Sequence, residues 1–206
     1  MKLFQKSGPA LFMYSVIGIG ILTSVLTLGA YYGGKTDSRV IMWIGIVAIM
    51  IVYHFWVRII MGNISKLFKK HLSYKQWWFK EKKFEKGLYK FLKVKEWKGK
   101  ALTYNPESFS VKDNSLETLA NTMTKSEWDH WMNELISVCS IFFAFIFKVT
   151  VIPFLISAIA AMIFDSQFIV IQRYNRPRIV KLLERQEREQ LINDVEFPNG
   201  QGNLLA

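Results

Sequence analysis

Cysteine is almost absent from this sequence of 206 residues, which contains only one. With Cys139 alone, neither an intrachain disulfide nor a cysteine-based metal site can form. Cys139 lies within an apolar run, so we expect a packed or lipid-facing side chain, with a catalytic thiol as the alternative. The sequence also lacks a glycine-rich phosphate loop, a serine nucleophile elbow and internal repeats.

Acidic residues are also few. Sixteen of them stand against 27 lysines and arginines, which gives a formal charge of +11, although 51% of the residues are hydrophobic. The apolar residues form long runs, and the basic residues lie between these runs. Nucleic acid, anionic lipid or an acidic substrate could attract such a charge. The runs favour anionic lipid, which attracts each basic residue by roughly 1 kcal/mol, and we expect no nucleic-acid partner.

The apolar runs predict an all-α membrane protein with about four transmembrane helices. A helix needs about 20 residues to cross a bilayer, and the predicted spans are about 9–32, 40–61, 131–147 and 153–171. The first run is longer than the core of a signal peptide, so we expect it to be retained. Glycine, serine and threonine in the first two spans favour close packing of these helices. Residues 1–190 would form one multi-pass domain, and residues 191–206 a disordered tail.

A basic, aromatic-rich loop is predicted at residues 65–130. Its first part, Ser65–Lys100, holds thirteen lysines against three glutamates. Interleaved aromatic and basic side chains are typical of the membrane interface. With four spans, both termini and this loop fall on the same side, and the positive-inside rule places them in the cytoplasm. Thr124-Lys125-Ser126-Glu127 has the pattern of a capping box, which predicts a helix start before the third span.

The first candidate site is Glu127 with His130, three residues apart on one predicted helix face. A carboxylate that accepts a hydrogen bond from one imidazole nitrogen leaves the other nitrogen free to take a proton from an attacking hydroxyl. The alternatives are a helix cap for Glu127 and an interfacial side chain for His130. Glu134 could complete a metal site with them, but di-metal bundles need a second such motif, and we expect no metal.

Two further candidates lie in and after the fourth span. Asp165 is an ionisable group about eight residues inside an apolar run, which indicates a polar pocket or a hydrogen-bonded packing residue. Arg173, Arg176 and Arg178 could hold a phosphate or carboxylate, or simply anchor the helix in the cytoplasm. Pro177 predicts that the chain leaves the helix at this point.

Several segments together resemble the glycosyl-4,4'-diaponeurosporenoate acyltransferases, small membrane enzymes of staphyloxanthin-type carotenoid synthesis. The similarity extends from Phe79 to Leu183, and the run from Gln172 to Arg178 is its most specific part. The other similar segments are Phe84-Glu85-Lys86, Val94–Lys100, Glu127 with His130-Trp131, Ala161-Met162-Ile163 and Ile169–Ile171.

The resemblance implies transfer of a fatty acyl group to a sugar hydroxyl of a glycosylated carotenoid in a bacterial cell membrane. Acyl-CoA or an acyl carrier would be the donor, with no bound cofactor, and the partners would be membrane lipids and the lipid-like acceptor. His130 would be the base and Glu127 its orienting group. The expected substrate-binding residues are Glu85, Trp97, Lys98, Lys100, Trp131, Asp165, Arg173, Tyr174, Asn175, Arg176 and Arg178. Another lipid-modifying enzyme, such as a methyltransferase or reductase, and a non-catalytic adaptor that binds anionic lipid are the alternatives.

Overall fold

The computed structural model describes residues 8–101 and 106–196, and this part of the chain contains helices and no strands. The seven α-helices are α1 (Gly8–Tyr32), α2 (Arg39–Phe68), α3 (Glu85–Phe91), α4 (Val94–Trp97), α5 (Leu116–Val138), α6 (Phe143–Phe147) and α7 (Ile152–Glu196). Short 3-10 turns lie at Lys69–His71, Trp77–Phe79, Lys98–Lys100, Pro106–Phe109 and Cys139–Phe142.

Four helical segments in the described part are long and apolar enough to cross a membrane, as the sequence predicts. They are Leu11–Tyr32, Arg39–His71, Leu116–Phe147 and Ile152–Val195. The third segment is interrupted by the turn at Cys139–Phe142, and it ends before Lys148, whose φ is 51°. The exposed Cys139 in that turn is the single free cysteine. Each of these segments holds an apolar stretch that matches the length of a bilayer core.

Small residues bring α1 and α2 together. A side chain at Gly45 would lie 2.5 Å from Thr27 and 2.6 Å from Leu28, so only glycine allows this approach. The Ser24 hydroxyl donates to the carbonyls of Gly20 and Gly45, at 2.8 and 3.2 Å. The predicted close packing of the first two spans is therefore confirmed, and it follows from the absence of bulky side chains at the contact.

The buried stripe of α7 changes in character along its length. Its members recur every three or four residues, which places them on one face of the helix: Phe154, Ala158, Ala161, Asp165, Ile169, Gln172 and Arg176. At the apolar end, Phe154 packs with Met42, Ile46 and Met50 of α2 and with Ala144 of α6. The other end carries the polar side chains and faces α5, so the apolar core and the polar interior lie at different levels of the bundle.

Two predicted helix boundaries are wrong. The third helix begins at Leu116, where the hydroxyl of Ser115 accepts a hydrogen bond from the amide of Thr118 at 3.1 Å. Thr124 lies inside that helix, and its hydroxyl donates to the carbonyl of Ala120 at 2.8 Å. The capping-box pattern at Thr124 is therefore not a helix start, because a stronger cap lies nine residues earlier.

The second wrong boundary is at Pro177, which lies inside α7 rather than ending it. Proline removes one helical hydrogen bond and disfavours helix at the preceding residue, at a cost of about 3 kcal/mol. Here that preceding residue, Arg176, is buried and held by an ion pair with Glu127 and by hydrogen bonds to the carbonyl of Phe79, and these contacts favour the helical backbone. The helix then continues to Glu196, so residues 191–196 of the predicted disordered tail are helical. The remainder of that tail lies outside the described residues.

Candidate active site

The interface between α5 and α7 is polar, although both helices have long apolar faces. The buried polar side chains of α5 are Thr124, Glu127, Asn133, Glu134 and Ser137, and those of α7 are Asp165, Gln172 and Arg176. Polar groups shielded from water need partners, and most of these find them across the interface. Four of them, Glu127, Asn133, Asp165 and Arg176, belong to two clusters, which lie about 12 Å apart along α7, given 1.5 Å per residue between Asp165 and Arg173.

The first group, the arginine–glutamate cluster, consists of Glu85, Glu127, Arg173 and Arg176. Arg173 donates to Glu127 at 2.6 Å and to Glu85 at 2.5 and 2.8 Å. Arg176 donates to the other oxygen of Glu127 at 2.6 Å. Two cations and two anions thus neutralise one another in the interior, which is the condition for burying charge without a large penalty.

This cluster also fixes the basic segment against the helices. Arg176 donates to the carbonyl of Phe79 at 2.5 and 3.1 Å, and Arg173 donates to the carbonyl of Trp78 at 3.3 Å. The Tyr89 hydroxyl donates to Glu85 at 2.8 Å, and burial together with this carboxylate raises the pKa of Tyr89. The cluster therefore ties residues 77–91 to both α5 and α7.

The geometry limits what these arginines can bind. Arg176 is 2% exposed and the side chain of Arg173 is 12% exposed, and both are held by glutamates. A phosphate would have to displace a carboxylate to reach either guanidinium. In this arrangement neither Arg173 nor Arg176 is free to bind a phosphate as predicted. The sequence pattern did not indicate this, because the glutamates that hold the two arginines come from segments that are distant in sequence.

The second group, the Asp165 cluster, consists of Arg58, His130, Asn133 and Asp165. The fully buried carboxylate of Asp165 lies 2.8 Å from His130 Nδ1 and accepts from Arg58 at 2.5 Å. Asn133 donates to it at 3.4 Å. Arg58 also donates to the carbonyl of His54 at 2.6 Å, so α2 contributes to this site together with α5 and α7.

The predicted pairing of Glu127 with His130 is not found. Both side chains project from α5 towards α7, but they meet different levels of that helix. Glu127 accepts from Arg173, from Arg176 and from the indole of Trp131, the last at 3.3 Å. His130 instead contacts Asp165, so the carboxylate that orients the imidazole comes from the neighbouring helix.

The imidazole of His130 is held on one side and open on the other. Its ring stacks on Phe168 at a centroid distance of 4.7 Å, and 20% of its side chain is exposed. No residue in the described ranges hydrogen-bonds to its Nε2. A neutral imidazole that donates from Nδ1 to a carboxylate carries its lone pair on Nε2, which suits a general base.

Glu134 lies one turn beyond His130 and accepts a hydrogen bond from the hydroxyl of Ser166 at 2.5 Å. This contact turns its carboxylate towards α7. Among the described residues, no group of three or more histidine, cysteine, aspartate or glutamate side chains has a geometry that could hold a metal ion.

The remaining predicted binding residues lie outside both clusters, and Tyr174 is on the face of α7 opposite Asp165. Tyr174 follows Asp165 by nine residues, or two and a half helical turns. The guanidinium of Arg178 and the ammonium of Lys98 lie over its ring, at 3.6 and 4.7 Å from the ring centroid. Lys98 also donates a hydrogen bond to Asn175 at 2.7 Å. Burial and the neighbouring Arg178 lower the pKa of Lys98. Of the other two residues predicted here, Lys100 is exposed, and the indole of Trp97 donates to a nearby backbone carbonyl.

Sequence reasoning missed Arg58 and Asn133. Arg58 is the single arginine or lysine in the predicted second span, as Asp165 is the single acid in the fourth. Two opposite charges buried in separate apolar helices tend to pair, because each alone is costly there. That complementarity was the available signal for Arg58. Asn133 carried no comparable signal.

A protein-family model, described as glycosyl-4,4'-diaponeurosporenoate acyltransferase, matches residues 75–185, slightly more than half of the chain. The chain belongs to this acyltransferase family. The predicted membership is therefore confirmed, and the family name indicates acyltransferase activity. No curated protein and no solved structure matches the chain.

The family match covers most of both clusters. It includes every member of the arginine–glutamate cluster, and it includes His130, Asn133 and Asp165 of the second cluster. Arg58 lies outside the matched residues, on α2. The part of the chain that the family model describes therefore depends on a helix beyond it to complete the Asp165 cluster.

Proposed function

We propose that this chain is a membrane acyltransferase that moves a fatty acyl group from an activated donor to a hydroxyl of a glycosylated, carotenoid-type lipid. Membership of the acyltransferase family supports the reaction class. Four apolar helices support a membrane location, and so do large exposed apolar side chains on their outer faces, such as Phe12, Leu22 and Ile163. Such surfaces are unfavourable in water but match lipid.

The observation that carries the proposed mechanism is the contact between His130 and Asp165. In the reaction, Nε2 of His130 takes the proton from the acceptor hydroxyl while that oxygen attacks the acyl carbonyl of a thioester donor. The new ester C–O bond forms and the C–S bond breaks. The imidazolium then returns the proton to the departing thiolate, so the enzyme ends in its starting state.

Asp165 is a positioning residue in this mechanism. Its carboxylate holds the proton on Nδ1 and stabilises the imidazolium that forms during the transfer. Arg58 and Asn133 donate hydrogen bonds to the same carboxylate, so the buried group has partners on both of its oxygens besides the imidazole. Glu127 has a structural role, as the counterion of Arg173 and Arg176.

The setting suits an acceptor that is apolar along its length and polar at its end. A carotenoid-type chain would lie in the hydrocarbon against the helices, while its sugar would reach the polar interface between α5 and α7. The donor would be acyl-CoA or an acyl carrier, arriving from the side of the basic segment. We place that segment and both termini in the cytoplasm of a bacterial cell. The reason is that they carry most of the basic residues outside the spans, and such residues concentrate on the cytoplasmic side of a membrane protein.

A bacterial host that makes the glycosylated carotenoid provides the test. Lipid extracts from cells with the wild-type chain should contain a species that is heavier by one fatty acyl residue. The His130→Ala variant should lack this species while reaching the same level in the membrane and keeping the same thermal unfolding midpoint. The control is His71→Ala, since His71 is exposed and outside both clusters. A folded His130→Ala variant with full activity would overturn the assignment.

A further inference from the structure

A strongly basic cleft lies on the face of α7 that is turned away from His130. It has a volume of about 490 Å³ and is formed by α3, α4 and the part of α7 that we place in the cytoplasm. Six basic and two acidic side chains line it, an excess of four positive charges: Lys86, Lys90, Lys93, Lys95, Arg178 and Lys181, with Glu81 and Glu96. Its remaining lining residues are Tyr89, Tyr174 and Pro177.

Within residues 8–101 and 106–196, no ion pair neutralises this charge. The ion pairs of the described residues join Arg58, His130, Lys125, Arg173, Arg176 and Arg185 to their acids, and none includes a side chain of the cleft. The contrast with Arg173 and Arg176 is direct, because those two arginines are buried and paired. A concentration of unpaired cations around a concave surface raises the local concentration of anions.

The walls and floor of the cleft are held in a fixed arrangement. Tyr89 and Tyr174 meet edge to face at a centroid distance of 5.4 Å, and Arg178 lies on the ring of Tyr174. Tyr89 is anchored by Glu85, which Arg173 holds in turn. The lysines are therefore carried by a rigid base, which lowers the entropy cost of binding a ligand between them.

We propose that this cleft binds the phosphate groups of a ligand that carries more than one negative charge. Lysine is a common phosphate ligand, and it acts there as a point charge. The volume exceeds that of a single phosphate and lies in the range of small-molecule sites. Two sources share this chemistry: the phosphates of a soluble donor such as a coenzyme A thioester, and the headgroup of an anionic phospholipid.

The site is separate from the catalytic cluster. Arg178 is thirteen residues beyond Asp165, which places it about 20 Å further along the axis of α7. A ligand that is anchored here by phosphate would need a long arm to present an acyl group to His130, whereas a lipid headgroup would simply fix the basic segment at the membrane surface. Phosphate binding is common to both, so it is the property to measure first.

The first experiment measures binding of inorganic pyrophosphate to the full-length protein in a neutral detergent, by calorimetry. The double variant Lys90→Gln/Lys181→Gln removes two exposed cleft lysines, and the matched control Lys69→Gln/Lys70→Gln removes two exposed lysines elsewhere. The cleft variant should bind about tenfold to thirtyfold more weakly, given roughly 1 kcal/mol for each lysine. The control should bind as the wild type does. Equal affinity in all three proteins, or equal losses in both variants, would overturn the proposal.

The second experiment identifies the source of the phosphate. Pyrophosphate binding is repeated in nanodiscs of neutral phosphatidylcholine with added coenzyme A, and separately in nanodiscs that contain phosphatidylglycerol. Displacement by coenzyme A alone assigns the cleft to a soluble donor, and displacement by phosphatidylglycerol alone assigns it to lipid. Displacement by neither would overturn the site. Both measurements record binding without acyl transfer, so their failure is distinct from a failure of the proposed catalysis.

Discussion

Replacing Glu127 by glutamine separates a structural from a catalytic role for this carboxylate. Glu127 is fully buried and accepts from Arg173 and Arg176 at 2.6 Å each. Glutamine has nearly the same shape but removes the negative charge, so two buried or nearly buried guanidinium groups would share only Glu85. Breaking one partner of a buried ion pair costs about 3–5 kcal/mol.

We expect the lower end of that range for Glu127→Gln, about 3 kcal/mol, because the glutamine oxygen still accepts one hydrogen bond and the Phe79 carbonyl still binds Arg176. For a chain of this size, each kcal/mol lowers the unfolding midpoint by about 2–4 °C, so the midpoint should fall by about 6–12 °C. Thermal unfolding of the purified protein in detergent, followed by circular dichroism, measures this change. Acyl transfer at a temperature where the variant is folded should persist.

Glu189→Gln is the matched control. Glu189 pairs with Arg185 at 2.8 Å on the exposed end of α7, and the two side chains are 60% and 74% exposed. Such surface pairs contribute at most about 1 kcal/mol, so its midpoint should change by only a few degrees. The reasoning is refuted if Glu127→Gln unfolds at the wild-type temperature yet has lost acyl transfer, since Glu127 would then act in the reaction itself.

Three further predictions concern the catalytic cluster, the packing of α1 on α2 and the topology. Asp165→Asn should lower kcat about 100-fold or more with little change in KM, and should alter the pH–rate profile, because His130 loses its orienting anion. Gly45→Ala should lower the unfolding midpoint, because the added carbon would lie 2.5 Å from a neighbouring side chain. Gly62→Ala, which meets nothing within 4 Å, should not lower it. After the native cysteine is changed to serine, a membrane-impermeant thiol reagent applied to intact cells should label a cysteine placed at Lys35 but not one at Lys86. Labelling of both from outside would contradict the topology.

The sequence was sufficient for the features that depend on local composition. Apolar runs long enough for a bilayer predicted four apolar helices. The small residues in the first two runs predicted their close packing, which the structure shows at Gly45. The run from Gln172 to Arg178, with its companion segments, predicted the acyltransferase family. These features could be read directly because hydropathy and side-chain size act along one helix or between neighbours in the chain.

The ends of the helices were harder to predict. Thr124-Lys125-Ser126-Glu127 has the residues of a capping box, and a proline such as Pro177 usually ends a helix. Both nevertheless lie inside helices. Local patterns of this kind describe what a segment prefers in isolation. In the folded chain the helix has already begun at the Ser115 cap, and the ion pair between Arg176 and Glu127 holds the residue before Pro177 in place.

Only the tertiary structure decided which charge meets which. Glu127 lies three residues from His130, yet His130 pairs with Asp165, 35 residues away, and Arg58 reaches the same carboxylate across 107 residues. Composition determined that these ionisable groups had to find partners, because an unpaired charge among apolar helices is too costly. The choice of partner depended on how α2, α5 and α7 are rotated and at what height they meet, and no short stretch of sequence contains that information.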